Sequence, residues 1–335
     1  MRGAGSAGDR RQKAEDGGRS WNPEFRTFRS LKSSFTIFVT GASGFLGGHF
    51  IQEARQRGER LRCLVRGRAP AKVPGVEWVR GDLMKPGAWK ARLRGCDAVV
   101  HLATVQLLEC EKHPMRACRV IVEGTGRLVR LAHEAGVRRF VLASTAEVYG
   151  TPARLPASER TPILPQSLYG FLKACADLHA LKLAQQRGLS LCVLRFFNLY
   201  GRDSKGETPR TVLRLFVERM MAAEPIILHG SLKNSRDFLH VKDAARALVM
   251  AVQQDDVQGV IPVGTGRETT LREVAQKLAR LMGRPLKVDF RPKEGRMRRG
   301  RADTRRARRV LGFVPKVSLE RGLRDVLQGV SLQKI

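Results

Sequence analysis

Tyr169 and Lys173, in the stretch Tyr-Gly-Phe-Leu-Lys, have the side-chain types and the spacing to move a proton. Four residues apart on a helix, they share one face. A tyrosine of ordinary pKa, near ~10, is a poor base at neutral pH, but a neighbouring ammonium stabilises its phenolate and brings proton transfer within reach. A second stretch, Ser144-Thr145-Ala146-Glu147-Val148-Tyr149-Gly150, ends an apolar run with hydroxyls and a carboxylate. Thr145 is there placed to hold a substrate oxygen beside Tyr169. The plainer use of Ser144 and Thr145 is as turn residues that close a strand.

A third constellation binds phosphate. The run 35–40 (FTIFVT) leads directly into Gly41-Ala42-Ser43-Gly44-Phe45-Leu46-Gly47, a GxxGxxG loop, and then into a helical pattern. Glycine suits a sharp turn, a diphosphate close to the backbone, and tight packing of helix on strand, while the helix N-terminus offers free N–H groups to the anion. This is the pattern of a dinucleotide site. Where the second strand ends, an NAD enzyme usually carries an acid for the adenosine ribose; this chain carries Arg66, with Arg68 nearby, which suits the 2′-phosphate of NADP. Asp82 and Leu83 close the next strand, and Leu102, Ala103 and Thr104 the one after. Asp82 can accept from an adenine amino group, and Leu102 and Ala103 form an apolar floor.

These groups need a scaffold that brings strand ends together. Short apolar runs at 35–40, 61–65, 76–79, 98–102, 140–143 and 191–196 alternate with helical patterns such as 121–135, whose apolar residues recur at three and four. That predicts an α/β fold, a doubly wound parallel sheet, with ligands at the carboxyl ends of its strands. After Gly201 the rhythm loosens into helices near 211–221 and 241–253 and a strand at 226–228, which predicts a smaller C-terminal α/β lobe and a cleft between the two. The expected division is a basic, disordered extension over 1–34, a dinucleotide-binding domain over 35–200 completed by 236–264, and a substrate lobe from 201–235 and 265–330.

With 335 residues and 42% apolar content, the chain can build a real core. Lys and Arg number 62 against 31 Asp and Glu, a net charge of +31 that favours anionic ligands such as phosphates, nucleotides or nucleic acid. Residues 1–35 carry +4 of it, residues 291–309 carry +8, and +19 is spread over the rest, so no single tail accounts for it. The cysteines at 63, 96, 110, 118, 175 and 192 form no CxxC pair, which argues against a zinc site or disulfide scaffold and fits a reducing cytoplasm. No apolar run approaches the ~20 residues of a spanning helix, so no membrane partner is expected.

Taken in order, these motifs identify the chain as similar to the extended short-chain dehydrogenase/reductases, specifically the NAD-dependent nucleotide-sugar epimerase/dehydratase group with its Rossmann domain. The resemblance runs over about 35–328 and adds RFFNLYG at Arg195, RDFLHVKDAA at Arg236, VGTG at Val263 and the tail from Ala302. It implies that Tyr169 is the catalytic base, that Lys173 orients the nicotinamide ribose and lowers the tyrosine pKa, and that Thr145 bonds the reacting sugar oxygen. It further implies that Phe197 packs at the nicotinamide and that Asn198 and Arg236 contact the nucleotide diphosphate of the substrate. Arg291 or Lys293 would add a phosphate contact, although the usual following acid is here Arg296. The cofactor would be NAD on the resemblance and NADP on Arg66. A homodimer is implied through helices within 107–135 and 165–186.

The group shares transient oxidation at sugar C4 and diverges afterwards. The leading expectation is a nucleotide-sugar epimerase. Ala146 stands where dehydrating relatives carry an acid, which weakens a 4,6-dehydratase, while Glu147 remains available as a base at C5. Ile121 and Pro262 also depart from the usual pattern. Alternatives are an NADPH-dependent reductase of a keto sugar or other carbonyl, favoured by Arg66, and a non-catalytic nucleic-acid-binding member of the fold. The retained Thr145, Tyr169 and Lys173 speak against the latter, and no specific nucleic-acid partner is expected.

Overall fold

The computed structural model describes residues 34–331 except 71, 86, 210 and 293–297. Apart from Ser34, the extension expected to be disordered lies outside the described residues, as do Lys293 and Arg296.

Six parallel strands come first: β1 (Thr36–Thr40), β2 (Arg60–Val65), β3 (Val76–Arg80), β4 (Ala98–His101), β5 (Arg139–Thr145) and β6 (Ser190–Phe196). Their β-branched and aromatic runs suit strands buried on both faces. Helices cross between them: α1 (Phe45–Gln56) after β1, then α2 (Leu107–Lys112), α3 (Pro114–Cys118) and α4 (Gly124–Glu134) before β5, and α5 (Leu168–Arg187) before β6. The helix expected over 121–135 begins instead as a π-helical turn, Arg119–Glu123, that continues into α4.

The chain then leaves the sheet for β7 (Asn198–Tyr200), α6 (Val212–Met221), β8 (Ile226–His229), β9 (Ser235–Arg236), β10 (Phe238–His240) and α7 (Val241–Gln253). It returns as β11 (Gly259–Val263), which pairs with β6 and makes the sheet order β11-β6-β5-β4-β1-β2-β3. Pro262 therefore sits on an edge strand, where a missing N–H is tolerated. Beyond it come β12 (Thr269–Thr270), α8 (Leu271–Met282), β13 (Val288–Arg291), α9 (Arg305–Leu311) and α10 (Leu319–Ser331).

Two cores flank the sheet, and β1 divides its residues between them: Ile37 and Val39 pack with α1 and α7, and Phe38 with α4 and α5. A third core joins β8 to α6, α8 and α10 in a C-terminal lobe. The order reverses direction at β1, with β4 on one side and β2 on the other, which opens a crevice at the carboxyl ends of those strands.

Candidate active site

The glycine loop forms one wall of that crevice. Gly41 has φ +72°, and a Cβ there would lie 2.6 Å from the Ala103 nitrogen. A Cβ on Gly47 would lie 2.3 Å from the Gly41 carbonyl oxygen, so the start of α1 packs on the loop at a distance only glycine permits. Gly44 is the N-cap of α1, and no side chain caps the helix. Its first N–H groups are thus left to an outside acceptor, as a diphosphate site requires.

The cleft holds about 560 Å3. The structure places at it Gly41, Gly44, Phe45, Leu46 and Gly47 from the loop, Arg66 after β2, Asp82 and Leu83 after β3, and Leu102, Ala103 and Thr104 after β4. Tyr169 and Lys173 of α5 line it as well. Arg66 is exposed at the rim, whereas Asp82 spends one carboxylate oxygen on the Met84 N–H at 2.8 Å. Phe197 is elsewhere: it packs beside Tyr149 with ring centroids 6.5 Å apart and lines a separate pocket.

Helix α5 is long because it is well terminated. Ser167 caps its start by accepting from the Gly170 N–H at 3.1 Å, and Gly188 ends it at φ +66°. Lys173 is buried, and its Nζ donates to the Ala143 carbonyl at the end of β5, 2.7 Å away. Burial lowers the lysine pKa, and the Asp177 charge one turn on opposes the fall. Burial raises the Tyr169 pKa, countered in part by a hydrogen bond with the Thr104 hydroxyl.

The stretch 144–147 runs from this cleft to a second pocket of about 40 Å3. Glu147, Phe197, Asn198 and Arg236 line that pocket, together with Tyr149, Arg298 and Arg299. Thr145 caps the short turn Ala146–Tyr149, its Oγ1 accepting from the Glu147 N–H at 3.2 Å. Burial lowers the Arg236 pKa, and the Glu147 carboxylate counters it. The site thus joins a large cleft, the Tyr169–Lys173 pair at its edge and an arginine-lined pocket. Arg291 is apart from it, exposed and paired with Asp289 at 2.7 Å.

Sequence reasoning missed Arg298 and Arg299, which lay in a basic run read only as charge. It also missed the groups behind the site. Ser144 Oγ and Arg195 Nε both donate to Asp177 Oδ2, at 2.9 and 3.0 Å. His101 bridges Thr40 and Thr125 at 2.5 and 3.0 Å, and the Thr125 hydroxyl donates to the Ile121 carbonyl in the π-helical turn. The signal for Asp177 was its place four residues after Lys173.

Among the described residues no group of three His, Cys, Asp or Glu is placed to hold a metal, and no helix is long and apolar enough to cross a membrane.

A family model described as the NAD dependent epimerase/dehydratase family matches residues 37–264. The UDP-glucose 4-epimerase of Mycolicibacterium smegmatis is 31% identical over 304 residues, covering 87% of this chain and 96% of that protein. The dTDP-glucose 4,6-dehydratase of an Actinoplanes species is 30% identical over 315 residues, covering 87% and 96%. A solved structure of MoeE5 in complex with UDP-glucose and NAD is 31% identical and superposes with a TM-score of 0.79, over 90% of this chain and 100% of that one. The matched span begins in β1 and ends just past β11, so it covers all seven sheet strands and the Tyr169–Lys173 helix, and on that ground the chain is an enzyme of the NAD-dependent epimerase/dehydratase family, within the extended short-chain dehydrogenase/reductases.

Proposed function

We propose that the protein is a nucleotide-sugar 4-epimerase that works through transient oxidation at sugar C4. The observation that carries the reading is the placement of Tyr169 and Lys173 at the cleft edge, next to a pocket that presents Asn198 and Arg236 to a second diphosphate. Bound in the cleft, an oxidised nicotinamide supplies the hydride acceptor for C4. The chain's own residues do the rest. The N–H groups at the start of α1 and the loop Gly41–Gly47 hold the cofactor diphosphate. Lys173, anchored on the Ala143 carbonyl, lends its charge to the Tyr169 phenolate, which takes the C4 hydroxyl proton and later returns it. Thr145 steadies the reacting oxygen, Arg236 grips the sugar-nucleotide diphosphate, and Phe197 closes the apolar side of the sugar pocket.

Relatives as different as an epimerase and a 4,6-dehydratase belong to this family, and Ala146 weighs toward the epimerase: a methyl group has no acidic proton to give a leaving hydroxyl, although Glu147 remains available as a base at C5. We assign residues 35–200 with 236–264 to cofactor binding and the remaining C-terminal segments to the substrate, in a reducing cytoplasm. Two copies pair through α2, α3 and α5, which expose Leu108, Met115, Phe171 and Leu178 to 71, 69, 55 and 55%.

A panel of UDP- and dTDP-sugars incubated with purified protein and NAD, followed by NMR, tests the reading. A 4-epimer pair should equilibrate without net NADH, and Tyr169→Phe should slow it by about 10²–10⁴-fold. Absence of both epimer and keto product across the panel, or an unaffected Tyr169→Phe variant, would overturn it.

A further inference from the structure

Behind the reacting pair lies a charge that the scheme above does not use. Asp177 follows Lys173 by one turn on α5 and is fully buried, at 0% exposure. Its Oδ2 is held by Ser144 of β5 and Arg195 of β6, which face each other in the β5–β6 register. Its Oδ1 has no hydrogen-bond partner. A buried carboxylate with a free oxygen is expensive, and a chain that wanted only a neutral pair with Arg195 would use both oxygens on it.

We propose that Asp177 is a positioning residue for proton transfer: its carboxylate, pinned by Ser144 and Arg195, keeps the buried Lys173 ammonium charged at the end of β5, where it supports the Tyr169 phenolate. The inference rests on Tyr169 being the base. The arithmetic of charge around Lys173 favours it. On its own helix stand Tyr169 and Asp177; β4 brings His101, which burial leaves neutral, and β6 brings Arg195 against Asp177, while the Cys110 thiol of α2, Glu147 after β5 and Asp177 itself face Tyr169 and oppose its ionisation. Lys173 sits in the interior with one buried carboxylate, Asp177, acting on it. Arg195 is spread over the Tyr149 ring, its carbon 5.0 Å from the centroid, so part of its charge is satisfied elsewhere.

A purely structural Asp177–Arg195 pair makes a different prediction. Breaking it from either side would then disturb the site alike, whereas a counter-charge for Lys173 makes the two sides act oppositely. Removing Asp177 leaves two buried cations and drives the proton off Lys173. Removing Arg195 leaves Asp177 to Lys173 alone.

The chain has three tyrosines, Tyr149, Tyr169 and Tyr200, which makes the ionisation directly visible. Full-length protein labelled with 3-fluorotyrosine and loaded with NAD is titrated by 19F NMR, the Tyr169 signal being assigned as the one missing from Tyr169→Phe. Asp177→Asn should raise the Tyr169 midpoint by about one pH unit or more, and Arg195→Gln should leave it or lower it. On a Lys173→Met background the rise should vanish and leave at most a small fall, because the upward effect passes through the lysine while the Asp177 charge itself opposes the Tyr169 phenolate. Shifts of Asp177→Asn and Arg195→Gln in the same direction, or an unmoved midpoint in folded Asp177→Asn, would overturn the proposal. Should Asp177→Asn not fold, Arg195→Gln still decides, since a raised midpoint there contradicts it. No substrate is involved, so the outcome stands apart from whether the enzyme epimerises a sugar.

Discussion

Arg66 gives the cofactor-choice expectation a direct test. It sits exposed at the rim of the cleft directly after β2, where a carboxylate would instead accept from ribose hydroxyls. A guanidinium there can fork a 2′-phosphate. Arg66→Asp should therefore lower the ratio of NADP to NAD affinity by at least ~10-fold, about 1.4 kcal/mol, read by fluorescence titration of both cofactors. An unchanged ratio would show that Arg66 does not reach the ribose. Gly47 makes a sterner case: a Cβ 2.3 Å from a backbone oxygen cannot be accommodated by a rotamer change, because backbone has nowhere to move. Gly47→Ala should abolish dinucleotide binding in isothermal titration, by displacing α1 from the loop.

Elements in this protein are tied to one another by single buried polar side chains that each hold several partners. Arg139 opens β5 and is 2% exposed, and its guanidinium is held by carbonyls, a hydroxyl and a thiol in place of a carboxylate. Its guanidinium is satisfied by the Ala251 carbonyl at 2.9 and 2.8 Å and by the Val257 carbonyl at 2.5 Å. Ala251 lies in the last turn of α7, where carbonyls lack helical partners and a cation is favoured by the helix dipole. One side chain thus binds β5 to the end of α7 and the approach to β11. Arg139→Met keeps the stem and strands the carbonyls, and should destabilise the fold by about 2–4 kcal/mol in urea melts without altering the cleft. Asp237 does the same for the turn after β11, accepting from the Thr265, Gly266 and Ala302 N–H groups at 2.8, 2.8 and 3.1 Å. The π-helical turn at Arg119–Glu123 leaves the Ile121 carbonyl to Thr125, which links α4 through His101 to the end of β1.

At the scale of the whole molecule, α10 is latched to the rest by Asp325. Burial would raise its pKa, but hydrogen bonds from His240 and from the Arg202 backbone and guanidinium outweigh that and hold the carboxyl well below the usual range. A carboxyl with a depressed folded value contributes fully above its unfolded value, near ~3.9, and loses that contribution as pH falls through the folded value. Thermal melts should accordingly show Asp325→Asn less stable than the parent at pH 7 by about 1.5–3 kcal/mol, with the gap closing below about pH 4; a constant gap would mean packing and not charge is what the residue supplies. Association is the other molecular property at issue. Phe171 and Leu178 lie seven residues apart on α5, hence on one face. Phe171→Asp with Leu178→Asp should yield a monomer by light scattering if that face is the dimer contact, and an unchanged mass would place the contact elsewhere.

Much of this protein is legible in its residues because its motifs are local. The glycine loop, the Tyr169–Lys173 spacing and the strand-closing 144–147 stretch each act within a few residues, and alternation of apolar runs sufficed for a doubly wound sheet. Even 241–253 was read as the helix found. Periodicity did not reveal the π-helical turn, because it spans only five residues and runs straight into α4, too short a stretch for a pattern read over a whole helix to register. Nor did it bring Arg195 and Ser144 onto Asp177, or Arg298 toward Arg236, or Phe197 away from the cofactor cleft: these depend on which strands pair and in what register, a matter of contacts tens of residues apart. The net charge of +31 made anionic ligands the first candidates without choosing among them. Only the tertiary structure decided which few of its arginines close on a pocket, since folding, by burying Arg195 and leaving Arg66 at a rim, assigns different surroundings and so different chemistry to identical side chains.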